Sequence, residues 1–417
     1  MAEASRALAA HGWTVPRRIA VPRVDTLLPD ETIAVRSEAR AFADAKLAPL
    51  AHELNTSPER RDGFRHDVFG AIADAGLFAV PFASDVGGRE LAYPTLATMA
   101  VLEEIAYYAP GVASAMYDAQ ILLAGKVIDG AGGALRATYL PKLVRGELVA
   151  SFATSEPEAS TDLSVVSIRT VAEPVDGGWR VNGRKRWITN SPAADRILLL
   201  CRTGDGLSIL FADMREPGVS VGEPDRKMGN HAQLTADIIF DNVFVPADHL
   251  VGTVGGGLRA ALGALALGRI GIGTVGVAMA QRALDLAVAY TSERTVYGRP
   301  IAANQYWQYR FAEHAIELEA ARALCQRAAR LVDETGDAGA LAAMAKVKGS
   351  ALAVDVVRDA VQACGGYGFV RELAGAGQHW PLEALYRDAK VGEIYEGANE
   401  VLKWVVAREI FGRELTG

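Results

Sequence analysis

The chain has 417 residues, half of them hydrophobic and 22% charged, which is more than one ordinary core organises, so two or three domains are expected. A net charge of -7 with no block of like charges argues against nucleic acid as a partner and supplies no basic membrane tail. The three cysteines, Cys201, Cys325 and Cys364, show no metal-ligand spacing, so free thiols in a reducing, cytoplasmic setting and no bound metal are expected.

Residues 1–30 place Trp13, Pro16 and Pro22 between charges. They lack the continuous apolar stretch of a signal peptide and read as an extended arm. Residues 31–150 read as helical: Ile33, Val35, Ala39, Phe42 and Ala43, then Phe69, Ile72, Ala73, Ala75 and Leu77, recur mostly at three- and four-residue steps. Gly87-Gly88 interrupts the pattern before Leu96, Met99, Leu102 and Ile105 resume it.

The character changes at Ser151. Val165 to Thr170, Trp179 to Asn182, Ile197 to Cys201, Leu207 to Phe211 and Ile238 to Val245 are short and rich in β-branched or aromatic residues. Asp176-Gly177-Gly178 is a hairpin signal. Residues 151–256 are therefore expected to form a compact β domain, a barrel or sandwich. Helical periodicity returns for residues 257–417, with a stripe of Ala315, Ile316, Leu318, Ala321 and Leu324, a turn at Gly336 to Gly339, and a second long helix from Leu341 to Val361. Ala260 to Ala280 is almost wholly apolar, but Arg269 at its centre suits a helix buried among protein neighbours better than a membrane span. Helices, then strands, then helices predict an α+β, mostly helical protein in separate layers. Neither a G-x-G-x-x-G turn after a strand nor a P-loop occurs, so a Rossmann turn does not hold the cofactor.

Five segments carry candidate chemistry, each with a plain structural alternative. The loop Ser151 to Asp162, dense in hydroxyls beside Phe152, can present polar groups to a ring system or simply cap neighbouring elements. Trp187 and Thr189, after Gly183, can flank a planar cofactor, or Trp187 can be a core residue. Arg294 can pair with a pyrophosphate or cap a helix end with Gly298. Gln362 to Phe369 holds a glycine break at Gly365 and Gly366 that allows close ligand approach or marks a helix stop. In Arg387-Asp388-Ala389-Lys390 followed by Tyr395-Glu396-Gly397-Ala398-Asn399-Glu400, the carboxyl of Glu396 sits on a turn beside apolar residues. Partial desolvation would raise its pKa toward that of a working base, and the alternative is an acid facing a helix dipole.

Taken together and in order, these segments resemble the acyl-CoA dehydrogenase family, over about Thr32 to Arg413. Lys227-Met228-Gly229 and Phe240 to Pro246 are similar to the family's later strands. The resemblance implies an N-terminal helical domain, a central β domain and a C-terminal four-helix bundle. It also implies homotetramers (dimers of dimers) with each FAD lying partly across a subunit interface. By that likeness Phe152, Thr154, Ser155, Thr161, Trp187 and Thr189 would meet the flavin. Arg294 and Gln305, with Gln362, Gly365 and Gly366, would approach the pyrophosphate region of a neighbour's FAD. Ala398 and Glu400 fall at flavin-facing positions, although Ala398 replaces the common Thr and its hydroxyl. Thr161, Arg269 and Gly397 match positions that contact acyl-CoA, and Glu396 matches the catalytic base. Some members carry that base just before the counterpart of Arg269; here that residue is Gly268.

The implied reaction is α,β-dehydrogenation of an acyl-CoA, or carrier-bound acyl, thioester to the trans-2-enoyl product. Glu396 takes the α-proton, FAD N5 takes the hydride, and an electron-transferring flavoprotein reoxidises the flavin. Departures lie at Glu158 and Ser160-Thr161, where Gly and Gly-Ser are usual, and at Ala266, where relatives often have Asp. A longer Arg371 to Trp380 segment reads as a surface or interface elaboration. By the same likeness Tyr117 and Asp118 fall near where relatives shape the acyl pocket, where a bulky ring could shorten it, or Tyr117 is an ordinary core residue. A second reading keeps the fold with oxidase or monooxygenase chemistry. Glu396 disfavours its nitroalkane branch, which uses Asp, and its monooxygenase branch, which lacks a base. A flavin-free scaffold is the third reading, and Glu396, Arg294 and Trp187 speak against it.

Overall fold

The structure, a computed structural model, describes residues 27–159, 161–374 and 378–416. Most of the expected N-terminal arm, together with Ser160, Gly375 and Gly377, lies outside them. Helix α1 (Asp30–Phe42) starts after Pro29 with Asp30 and Glu31 in its first turn, where acids favour the helix dipole. It buries Thr32, Val35, Arg36 and Ala39, one face at helical spacing. Helix α2 (His66–Asp74) buries Val68, Phe69 and Ile72. Helix α3 (Pro94–Ala106) buries all its residues after Pro94, and every residue of the π-helical segment Ala113–Gly125 is buried. Helix α4 (Gly133–Val144) leads into the sheet.

Strands β1 (Ala150–Ala153), β2 (Val171–Val175), β3 (Gly178–Thr189), β4 (Arg196–Thr203), β5 (Gly206–Asp213), β6 (Val219–Val221), β7 (Thr235–Pro246) and β8 (Leu250–Val251) form one sheet. Its order is β6-β7-β3-β2-β4-β5-β8, with β1 parallel to β4. Central strands alternate between two cores, as period-two geometry requires. Ile197, Leu199, Cys201, Leu210 and Ala212 point into the sheet's own cluster with Val181, Phe240 and Val243. Leu198, Leu200, Ile209 and Phe211 join the large cluster built by the helices.

The expected strand Val165–Thr170 does not form; the strand begins one residue later, at Val171. Asp162 accepts the Ser164 N–H at 2.9 Å and the Ser167 hydroxyl, turning the chain. The Arg169 and Thr170 N–H groups, which a ladder would need, instead donate to the buried Glu156 carboxylate at 2.6 and 3.1 Å. The Asp176-Gly177 hairpin does form, pairing Val175 with Gly178.

Helices α5 (Gly257–Glu293), α6 (Gln305–Thr335) and α7 (Ala340–Cys364) dominate the C-terminal part, followed by α8 (Pro381–Ala389) and α9 (Asn399–Phe411). Among the described residues α5 is the one helix long and apolar enough to cross a membrane, but 67% of its most apolar stretch is buried inside the protein. It packs against α3, the π-helical segment, α6 and α7. Its contact with α7 is backbone on backbone: a Cβ at Gly349 would lie 2.2 Å from the Gly273 carbonyl oxygen, and one at Gly276 2.4 Å from that of Gly349. The longer segment before α8 forms a short hairpin of β11 (Glu372–Leu373) and β12 (Gln378–His379), numbered after β9 (Thr295–Val296) and β10 (Arg299–Pro300). The His379 ring stacks on His52 of the N-terminal region at 3.3 Å.

Because backbone atoms rather than flexible side-chain ends block the added methyl, Gly349→Ala should lower unfolding stability by about 1–3 kcal/mol. Chemical denaturation monitored by far-UV circular dichroism measures this.

Candidate active site

The site centres on the turn between α8 and α9. Glu396 (φ 55°) and Gly397 (φ 96°) both adopt left-handed backbone, which for a non-glycine residue costs of order 1–3 kcal/mol unless its surroundings hold it. Two cations do so. The Arg269 Nε donates to the Glu396 carbonyl at 3.2 Å, and the Lys346 Nζ donates to the Gly397 carbonyl at 2.7 Å. Lys346 also donates to Asn399 Oδ1 at 2.9 Å, anchoring the first residue of α9. With both backbone carbonyls tied, the Glu396 side chain is directed rather than free.

That side chain lies over Gly268. A Cβ there would sit 2.9 Å from Glu396 Oε2 and 2.9 Å from Leu123 Cδ2, so a larger residue would displace the carboxyl. Oε2 is buried and has no hydrogen-bond partner among the described residues. Burial raises the Glu396 carboxyl from its ordinary 4.5 to about 7, against the opposing pull of Arg269 and Lys346. Burial likewise lowers Lys346 to about 8, while Glu396 pulls it back up. A carboxyl poised near neutrality, desolvated and with one oxygen unengaged, is suited to accept a proton from carbon.

A second group of predicted residues meets this turn through the π-helical segment. Ser114 and the Tyr395 hydroxyl are 2.9 Å apart, and the Ala115 carbonyl accepts from Asn190 Nδ2 at 2.8 Å. Adjacent residues thus link the Glu396 turn to the end of β3. There the Ser151 hydroxyl donates to the Thr189 carbonyl at 2.6 Å and the Arg186 N–H to the Ser155 carbonyl at 3.0 Å. Phe152, Thr154, Ser155 and Thr189 are half-buried and Thr161 is exposed. Beneath this loop a fully buried ion pair joins Lys185 to Glu156 at 2.8 Å, and Lys185 also donates to the Thr154 carbonyl at 3.1 Å.

Trp187 is not a core residue. It sits in left-handed backbone, its side chain is 59% exposed, and the Arg186 guanidinium covers its ring at 4.7 Å. The Asp225 carboxylate accepts its indole N–H at 3.0 Å. From Thr189 a further chain runs to α8: Gln233 donates to the Thr189 hydroxyl at 3.1 Å, Asn230 donates to Gln233, and Asp388 accepts the Asn230 N–H at 2.6 Å.

The remaining predicted residues gather elsewhere. Arg294 follows the end of α5, and its carbonyl accepts the Ile301 N–H at 2.9 Å. Gln305 opens α6, and Gln362, Gly365 and Gly366 are exposed at the end of α7. Tyr290 and Tyr367 join these ends, with ring centres 6.1 Å apart. Along α5, Arg269 and Arg294 are separated by about 37 Å at 1.5 Å per residue, so one chain does not bring them to one small site. Ala398 precedes α9 and is half-buried, whereas Glu400 in its first turn is exposed.

Sequence reading missed Lys346, Lys185 and Asn230, and it placed Glu156, Asp388 and Asn399 within candidate segments without giving them a role. A signal existed for Lys346, a lone cation among Ala345, Val347 and other small or apolar residues. The exposed Trp187 ring, the half-buried hydroxyl loop beside it and the unpartnered Glu396 oxygen together fit a planar redox cofactor and an acyl substrate. Among the described residues no cluster of His, Cys, Asp or Glu could hold a metal.

Comparison with known proteins gives the family and the fold. Descriptions of the acyl-CoA dehydrogenase N-terminal, middle and C-terminal domains match residues 29–147, 151–243 and 255–411. An acyl-CoA dehydrogenase of Bacillus subtilis is 33% identical, covering 92% of this chain and 98% of its own. The structure of butyryl-CoA dehydrogenase from Megasphaera elsdenii superposes with a TM-score of 0.85 at 30% identity, covering 92% of this chain and 98% of that one. A chain from work on the electron transferring flavoprotein of Acidaminococcus fermentans gives 0.86 at 31%, covering 93% and 100%. The chain belongs to the acyl-CoA dehydrogenase family, oxidoreductases acting on CH–CH donors. FAD is the cofactor of that family.

A carboxyl titrating near 7 predicts that the rate of flavin reduction climbs as pH passes through about 7 and levels off above it. Stopped-flow reduction from pH 5.5 to 9 checks this. The raised folded-state pKa also means that the protonated carboxyl favours folding below about 4.5, and that this contribution is lost as pH rises through about 7. Glu396→Gln should therefore melt above the wild type at pH 8, with a smaller difference at pH 5, in calorimetric scans.

Proposed function

We propose that this protein removes the α-proton of an acyl-CoA thioester with Glu396 as the β-hydrogen leaves as hydride, giving the trans-2-enoyl-CoA. The observation that carries the reading is the buried, unpartnered Oε2 of Glu396, with its carboxyl raised to about 7. Arg269 and Lys346 hold the carbonyls on either side of the base and so fix its direction. Gly268 leaves the room that its carboxyl occupies. The backbone N–H of Glu396 would donate to the thioester oxygen as charge gathers there, the donor geometry that favours an enolate.

Phe152, Thr154, Ser155, Thr161, Trp187 and Thr189, with Ala398 and Glu400, would hold FAD, which would supply the hydride acceptor. The half-buried loop and the exposed indole support that placement. Thr161, Arg269 and Gly397 would meet the acyl-CoA, and a carrier-bound acyl group would present the same thioester.

The separation of Arg269 from Arg294 supports a homotetramer in which Arg294, Gln305, Gln362, Gly365 and Gly366 serve a neighbour's FAD. An electron-transferring flavoprotein is the acceptor this reading favours, in keeping with the match to a chain from work on such a protein.

Glu396→Gln should purify with its FAD yet reduce it about 10²–10⁴ times more slowly on anaerobic mixing with acyl-CoA, the range that one positioned base supplies. Wild-type bleaching of the flavin band in that variant would remove Glu396 from the role.

A further inference from the structure

A second buried carboxyl lies beside the first. Asp118, in the π-helical segment, is 2% exposed, and its Oδ1 has no hydrogen-bond partner among the described residues. A Cβ at Gly271 would lie 1.9 Å from that oxygen and 3.2 Å from Leu102 Cδ2. Asp118 therefore presses against α5 at Gly271, as Glu396 does at Gly268. Positions three apart share one helix face, so the two carboxyls stand one turn apart along the same wall. Leu123 and Leu102 supply the apolar surface beside them.

The two acids differ in their surroundings. Arg269 and Lys346 face Glu396. Burial and the neighbouring Glu396 charge hold Asp118 well above the usual carboxylate range, with no cation opposing. Burial therefore favours the protonated form of Asp118, which can both donate and accept a hydrogen bond. Buried polar groups without partners are rare, and one beside a reacting centre calls for an explanation.

We infer that Asp118 determines acyl specificity, its carboxyl pairing with a hydroxyl or similar hydrogen-bonding substituent on the acyl chain. This rests on the dehydrogenase reading above. Three residues along α5 rise about 4.5 Å, which an extended chain spans in roughly three to four carbon–carbon bonds of about 1.5 Å, placing the substituent near C5 or C6 when C2 is at Glu396. A plain hydrocarbon there leaves the acid unpaired, and a second carboxylate would meet two acids, one of them charged. The substrate class is therefore a short acyl-CoA with a neutral polar end.

The test is anaerobic flavin reduction of the holoenzyme by hexanoyl-CoA and 6-hydroxyhexanoyl-CoA, in the wild type, Asp118→Leu and Asp118→Asn. Wild type should favour the hydroxylated thioester by about ten- to a hundredfold in kcat/KM. Asp118→Leu should invert that order, and Asp118→Asn, still able to hydrogen-bond, should retain part of it. A merely structural role would lower both substrates together without moving their ratio. Equal use of the two thioesters by wild type, or the same ratio in wild type and Asp118→Leu, overturns the inference and leaves the dehydrogenase standing. Should Asp118→Leu fail to fold, the wild-type ratio and Asp118→Asn decide. Bleaching by neither of these thioesters nor by butyryl-CoA would instead overturn the dehydrogenase reading, and this inference with it.

Discussion

The contact on which the site depends is the backbone approach of α5 to α7 through Gly273, Gly276 and Gly349. Side chains at those positions would push the helices apart. Lys346, three residues before Gly349, would then lose the Gly397 carbonyl that it meets at 2.7 Å. Arg269, one turn before Gly273, holds the adjacent carbonyl. A left-handed Glu-Gly turn is poorly stable by itself; here two cations on two touching helices grip it.

The same arrangement explains why a carboxyl can titrate near 7 beside two cations. Desolvation is the larger effect, because Oε2 is buried over Gly268 and Leu123. Arg269 and Lys346 give their hydrogen bonds to the two backbone carbonyls and, for Lys346, the Asn399 side chain, and none to the carboxylate. They restrain the shift without cancelling it, leaving a raised carboxyl in place of a salt bridge. Lys185 and Glu156 illustrate the opposite case, a direct buried pair that supports the hydroxyl loop, where breaking one partner would leave an uncompensated charge.

Two bodies of structure therefore meet at the π-helical segment. Ser114 reaches the Glu396 turn through Tyr395, and Ala115 reaches β3 through Asn190. The strand end carrying Trp187 and Thr189 and the loop carrying Phe152 to Ser155 are thereby referenced to the Glu396 turn. The nearby Asp118 belongs to the same buried segment.

Much of this was legible in the residues. Helical spacing around Val35, Phe69 and Leu318, the hairpin at Asp176-Gly177 and the Arg at the centre of an apolar helix report on local geometry and burial, which short stretches encode. So does Glu396-Gly397, since a turn and an acid are adjacent in the chain. Strand Val165–Thr170 misread because its β-branched residues are local, while the carboxylate that captures its N–H groups, Glu156, is supplied from elsewhere. What Lys346, Asp388 and Asp118 touch was decided only by the tertiary structure, because hydrogen bonds and desolvation depend on which distant backbone lies opposite. The family likeness set Arg269 on the acyl-CoA and Arg294 on a neighbour's FAD, and the straight length of α5, which the tertiary structure gives, puts the two at opposite ends.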